Sequence, residues 1–216
     1  MFQDEFPPEY FSRQDERDDQ FFYSVPRKVV HIDEPAIQTL SNAFLDLIPE
    51  QGTILDLMSS WRTHLPIDEL EPERVVGLGM NAVEMEDNPQ LDEFIIHDLN
   101  AVPKLPYADD EFDAVLCSVS VQYLIRPVEV FAEVNRVLKP GGKFIVSFSN
   151  RCFPTKATAL WIHTNDEQHV QLVVSYFQKS GVDSAGWVRM NARIKSEDTG
   201  AAPNEDPLYI VWAEKG

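Results

Sequence analysis

The sequence is poor in cysteine, in basic residues and in long apolar runs. Its two cysteines, Cys117 and Cys152, make no disulfide framework. Neither a CxxC nor a Cys/His ligand spacing surrounds them, so no metal centre is expected. Two free thiols in a reducing compartment are the reading that remains. Only 18 residues are Lys or Arg, against 36 Asp or Glu, for a net charge of −18. That charge repels phosphate backbones and anionic membranes, and argues against nucleic acid as a partner. No apolar run approaches the roughly 20 residues of a membrane span. The opening "MFQDEFPPEY" has neither the basic start nor the apolar stretch of a signal peptide. These absences leave a cytoplasmic chain with a small-molecule partner, cationic or neutral for preference.

What is present suits a globular fold. The chain has 216 residues, 44% hydrophobic and 11% aromatic, enough for one domain with a sizeable core. Residues 1–32 are acidic and aromatic, and read as an N-terminal arm that either docks its aromatics on the body or closes over a pocket. In the second case Phe22, Tyr23 and Arg27 face inward. Residues 33–216 alternate strand and helix patterns. "EPAIQTLSNAFLDLI" has apolar residues at helical spacing, with Asp33 as N-cap. "TILDLM", "RVVGLGM", "EFIIHDL", "DAVLCSVSV" and "KFIVSFS" read as five strands, the fourth apolar enough to be covered on both faces. "PVEVFAEVNRVL" is an amphipathic helix stopped by Lys139-Pro140-Gly141-Gly142. "TNDEQHVQLVVSYFQKSG" is a helix opened by a Thr164…Glu167 capping box. "WVRMNARI" and "PLYIVWAE" are two last strands, separated by "KSEDTGAAPNED". Such alternation implies an α/β, doubly wound, mainly parallel sheet. Its ligand crevice lies beyond the carboxyl ends of the strands.

Glycine is missing where that crevice would need it. The first strand ends in Asp56-Leu57-Met58-Ser59-Ser60-Trp61-Arg62, at a junction where nucleotide-binding enzymes place three glycines. The block 98–149, "DLNAVPKLPYADDEFDAVLCSVSVQYLIRPVEVFAEVNRVLKPGGKFIVSFS", resembles the class I S-adenosylmethionine-dependent methyltransferases, small-molecule branch. It carries an acidic residue, an "LPF-x-D-x-x-FD"-like segment, a buried strand and an "E-x-x-RVLKPGG"-like helix end, in that order. "LDLMSSW", "GLGMN" and "SVSVQYL" also resemble an uncharacterised methyltransferase-like subgroup. The resemblance implies a Rossmann-like seven-stranded sheet with an antiparallel last strand, and S-adenosylmethionine as cofactor.

Carried onto this chain, the resemblance implies cofactor-facing positions at Asp56, Leu57, Met58, Ser59, Ser60, Met80, Asn81, Asp98, Leu99 and Cys117. Met58, Ser60 and Arg62 stand where the family has glycines. Ser59 and Ser60 either bond the donor's carboxylate, helped by the N-terminus of a following helix, or merely cap that helix. Gly79 stands where the family's ribose-binding acid belongs, and Asn81 or Glu84 would have to compensate. Met80 matches the apolar residue against the adenine face, unless it is ordinary core. Asp98, with the Leu99 amide beside it, matches the adenine-amino acceptor, or else caps a turn. Tyr23, Tyr123 and Arg151 are the expected substrate-facing residues. His64 and His97 are the nearest bases in sequence, and no residue is assigned as catalytic. The contrasting reading is a non-catalytic methyltransferase-like binding protein.

Overall fold

The computed structural model describes residues 6–181, 186–195 and 205–216. The chain forms α1 (Asp19–Tyr23), α2 (Glu34–Leu47), β1 (Thr53–Leu57), α3 (Ile67–Leu70), β2 (Arg74–Gly79), α4 (Ala82–Glu86), β3 (Glu93–Ile96), β4 (Phe112–Ser118), α5 (Pro127–Val137), β5 (Leu138–Phe148), α6 (Ala159–Ile162), α7 (Asp166–Ser180), β6 (Trp187–Lys195) and β7 (Leu208–Lys215). Most of the connection "KSEDTGAAPNED" lies outside the described residues.

The seven strands form one sheet in the order β3-β2-β1-β4-β5-β7-β6. The first five are parallel, and β7 runs antiparallel between β5 and β6. Alternate side chains of the parallel strands enter two apolar layers. Leu55, Val115, Phe144 and Val146 pack with Phe131 and Val134 of α5 and Phe177 of α7. Ile54, Val75, Leu116 and Ile145 pack with Leu40 and Phe44 of α2 on the opposite face. Strand β1 pairs with both β2 and β4, so the strand order reverses beside it and the crevice opens at its carboxyl end.

Three local expectations shift. The capping box of α7 is Asn165 with Gln168, while the Thr164 hydroxyl turns back to the Leu160 carbonyl. Asn165 has the extended backbone a cap requires. Strand β4 ends at Ser118, because Val119 takes a left-handed φ of 47°. No helix follows β1: residues 58–66 are irregular, and α3 is a single turn beginning at Ile67.

The N-terminal arm is held by a buried ion cluster. Asp19 is 3% exposed. It accepts from Arg13 Nη1 at 2.8 Å, from Lys156 Nζ at 2.9 Å and from Asn100 Nδ2 at 2.9 Å. Burial raises its pKa, but the hydrogen bonds from Arg13, Asn100 and Lys156 outweigh this and hold the carboxyl below its usual range. Lys156, wholly buried, also donates to the carbonyls of Asp15 and Arg17. Phe6 and Phe11 pack edge-on and tilted against Tyr176, so the aromatics do dock on the body.

Candidate functional site

The arm crosses the carboxyl ends of the strands and encloses a cavity of about 130 Å³, measured as the space open to water centres. That is roughly ten times what one water needs. Asp56, Met58, Ser59 and Ser60 from the end of β1 line it. So do Met80 and Asn81 after β2, Asp98 and Leu99 after β3, and Tyr23 and Tyr123. Three expected residues stay outside. Leu57 and Cys117 point into the core, being the odd members of their alternating strands. The Cys117 thiol lies 3.3 Å from the Ser120 hydroxyl, and burial pushes its pKa up to about 12. Arg151, with its side chain 63% exposed, donates instead to Asp206 at 2.6 Å.

The altered loop takes one left-handed turn without a glycine. Met58 holds a φ of 60°, the left-handed region that glycine enters without strain. The Ser59 amide then donates to the Leu78 carbonyl at 2.8 Å, drawing the loop across the end of β2. There the Ser59 carbonyl fills the side-chain space of Gly79: a Cβ at Gly79 would lie 2.3 Å from it. The missing glycines and the missing ribose acid are therefore one structural change, because this loop leaves no room for any side chain at 79.

Both serine hydroxyls are committed inside the protein. Ser59 Oγ donates to Asp56 Oδ2 at 2.5 Å, and Ser60 Oγ donates to Glu84 Oε2 at 2.6 Å. Glu84 Oε1 accepts the Arg27 amide at 2.6 Å, and Asn81 Nδ2 donates to the Tyr23 carbonyl at 2.7 Å. With no helix following, neither serine caps one. The backbone amides of Ser60 and Trp61 have no acceptor among the described residues, and they are the groups left to meet a donor's carboxylate. At the other end, Asp98 Oδ1 caps the amides of Asn100 and Ala101. Asp98 Oδ2 and the Leu99 amide have no partner among the described residues. Turn cap and free acceptor are thus combined in one carboxylate. Met80, Asp98 Oδ2 and the Leu99 amide are free to receive an adenine where the resemblance implies one, so this end fits S-adenosylmethionine. The ribose and amino-acid end does so only through backbone amides and Glu84.

Buried titratable groups concentrate here. Burial raises Asp56 to about 7, partly offset by the Ser59 hydroxyl. Burial, with His31 and Arg62 nearby, lowers His64 to about 4. Burial also lowers His31, against the attraction of Glu84. Both imidazoles face the cavity neutral. His97 lines it too, with Nε2 at 2.7 Å from the Val102 carbonyl. Asp19, His31, Asn100 and Phe153 complete the wall, and sequence reasoning passed over them. Asp19 was hidden in an acidic run. Phe153 carried a usable signal, an aromatic just beyond a strand end.

The family described as "Methyltransferase domain" matches residues 69–146. A demethylmenaquinone methyltransferase of Renibacterium salmoninarum is 43% identical over 141 residues, 65% of this chain and 54% of that one. A second, from Paenarthrobacter aurescens, is 29% identical over 141 residues, 65% of this chain and 50% of that one. The chain thus spans about half the length of these relatives. Among solved structures, an S-adenosylmethionine-dependent methyltransferase from Mesorhizobium loti superposes with a TM-score of 0.53 at 15% identity, covering 83% of this chain and 97% of that one. Phosphoethanolamine N-methyltransferase 2 of Haemonchus contortus, in complex with S-adenosyl-L-methionine, gives 0.55 at 12% identity, covering 82% and 52%. At such identities the structures speak for the fold alone. By fold and by sequence together, the chain is similar to the class I S-adenosylmethionine-dependent methyltransferases, with the sequence match confined to part of its length.

Proposed function

We propose that this chain is an S-adenosylmethionine-dependent methyltransferase acting on a small molecule. The observation that carries the reading is the cavity at the strand reversal, with Met80, the unpartnered Asp98 Oδ2 and the unpartnered Leu99 amide gathered at one end. Adenine would lie against Met80, donate its amino group to Asp98 and accept from Leu99. Glu84, released from one of its two present donors, would take the ribose hydroxyls that Gly79 cannot hold. The amides of Ser60 and Trp61 would meet the donor's carboxylate. When bound, the cofactor supplies an activated methyl group. The chain's part is to align the acceptor with it and exclude water. The described part of the arm acts as a lid, since Tyr23, Arg27 and His31 form one wall. The small cavity and the charge of −18 favour a small acceptor over nucleic acid.

Titration calorimetry with S-adenosylmethionine and S-adenosylhomocysteine tests the reading. Both are expected to bind, and Asp98→Ala is expected to weaken them by about 1.5 to 3 kcal/mol, a hydrogen bond to a charged group. Binding of neither ligand at millimolar concentration rejects it. The second reading, a non-catalytic member of the family, is favoured by the commitment of both serine hydroxyls to Asp56 and Glu84. That reading predicts silence in the same titration.

A further inference from the structure

The acceptor side of the cavity is walled by rings. Tyr123 stacks on Phe153 at 6.0 Å between centroids and His31 meets Phe153 edge-on at 5.4 Å; Phe22, which does not line the cavity, also meets Phe153 edge-on at 5.4 Å. Ring walls suit either a planar ligand or a cation. Here the cations are already resident. The Arg27 guanidinium lies 4.1 Å from the Phe22 centroid and 5.8 Å from that of Phe153, and Lys156 Nζ lies 5.6 Å from Phe22. A cationic ligand would meet the like charge of Arg27 across poorly hydrated rings, while Lys156 is buried and paired with Asp19.

The carboxylates on this side offer it nothing. Asp19 is committed to Arg13, Lys156 and Asn100, and Glu84 to Ser60 and to the backbone amide of Arg27. The Arg27 guanidinium, by contrast, is underused. Its Nη1 donates to the carbonyls of Phe22 and Val25. Its Nε and Nη2 have no acceptor, and no carboxylate lies within ion-pair distance, among the described residues. This holds in a protein with twice as many acids as bases.

We infer that the methyl acceptor is a planar ring bearing an anionic oxygen, a phenolate or carboxylate, with its ring against Tyr123 and Phe153 and its oxygen on Arg27. The inference rests on the methyltransferase reading and reverses the expectation of a cationic or neutral ligand drawn from net charge. Net charge describes the outer surface, whereas this wall carries a guanidinium no carboxylate has claimed. A planar carbon frame excludes water from the rings, and the fork of Arg27 gives the oxygen two parallel donors.

Three probes of one shape separate the possibilities: 2-naphthoate, 2-naphthylmethanol and 2-naphthylmethylammonium, titrated into the full chain saturated with S-adenosylhomocysteine. Naphthoate is expected to bind at least tenfold more tightly than the ammonium. Arg27→Gln, which still offers a donor to the Phe22 carbonyl, is expected to erase that ratio while the neutral alcohol binds as before. Phe153→Leu should weaken all three alike and leave the ratio intact. Equal or tighter binding of the ammonium overturns the inference. So does an unchanged ratio in Arg27→Gln, or a loss in that variant of S-adenosylhomocysteine rather than of naphthoate, which would assign Arg27 to the donor. Failure of all three probes while S-adenosylhomocysteine binds also overturns it, and leaves the methyltransferase reading standing. Absence of S-adenosylhomocysteine binding rejects the methyltransferase reading itself, and the acceptor assignment falls with it.

Discussion

Asp56 is 3% exposed, with the Ser59 hydroxyl as its one hydrogen-bond donor among the described residues. Its pKa rises from the ordinary 3.8 to about 7. The unfolded chain therefore gives up this proton near pH 4 and the folded chain only near pH 7, so stability falls as pH rises between the two. The full effect is on the order of 4 kcal/mol. His64 works in the opposite sense. Held down to about 4 from 6.5, it stays neutral where the unfolded chain is protonated, so its contribution to stability rises with pH from about 4 to 6.5. The two slopes oppose each other in the parent protein. Asp56→Asn should remove the falling one, giving a melting temperature that climbs more steeply with pH over this window, and a gain over the parent at pH 8. His64→Asn, chosen because asparagine tolerates the left-handed φ of 61° at this position, should do the reverse. Thermal melts in steps from pH 4 to 8 check both. Sequence reading named both residues, but it took Asp56 as an ordinary motif carboxylate, because the closing of the loop over it depends on backbone course rather than residue type.

The loop after β1 is the element where local rules yield to the site. Two residues at neighbouring strand ends, Met58 and Val119, have left-handed backbones and line the cavity. For a β-branched residue such as Val119 this is strained, at a cost of roughly 1 to 3 kcal/mol. Val119→Gly should raise stability by up to about 1 kcal/mol net of the packing it loses, as read from urea unfolding. The end of β2 makes the opposite prediction. Gly79→Asp, which restores the family's acid, should not restore a ribose contact. The new side chain would collide with the Ser59 carbonyl, destabilising the protein by about 1 to 3 kcal/mol and weakening S-adenosylhomocysteine by calorimetry. The sequence announced both departures from the family pattern. It could not show that they are linked, because the link is a carbonyl, which every residue has. The helix or turn expected over "THLPIDEL" is the single turn α3, and its late start has a similar reason. "SSWRTHLP" contains a serine pair that resembles a cap, yet Pro66 and the left-handed His64 admit no helical turn before Ile67.

At the scale of the whole molecule, a conventional sheet is crossed by an arm that belongs to its site. The sheet was readable because buried parallel strands are written as apolar runs and helix ends as proline and glycine. The seven strands and the antiparallel closing strand came with the resemblance, and the structure shows both. The arm was half-readable: its aromatics signalled docking, but Lys156, which anchors it, lies more than a hundred residues away. Removing the carboxylate there is expected to be severe. Asp19→Asn would leave Arg13 and Lys156 buried with half their compensation, a loss of about 3 to 5 kcal/mol. The variant should melt well below the parent, and limited proteolysis should cut within residues 13–31 before the sheet.

The placement of the Ser59 carbonyl at Gly79 also bears on descent. A chain with an ordinary glycine loop could not have exchanged its acid and its glycines in leisurely succession and kept this geometry. A side chain at 79 forbids this loop, and this loop forbids a side chain at 79. The two characters travel together, so any sister sequence that has "LDLMSSW" should carry glycine at the end of its second strand.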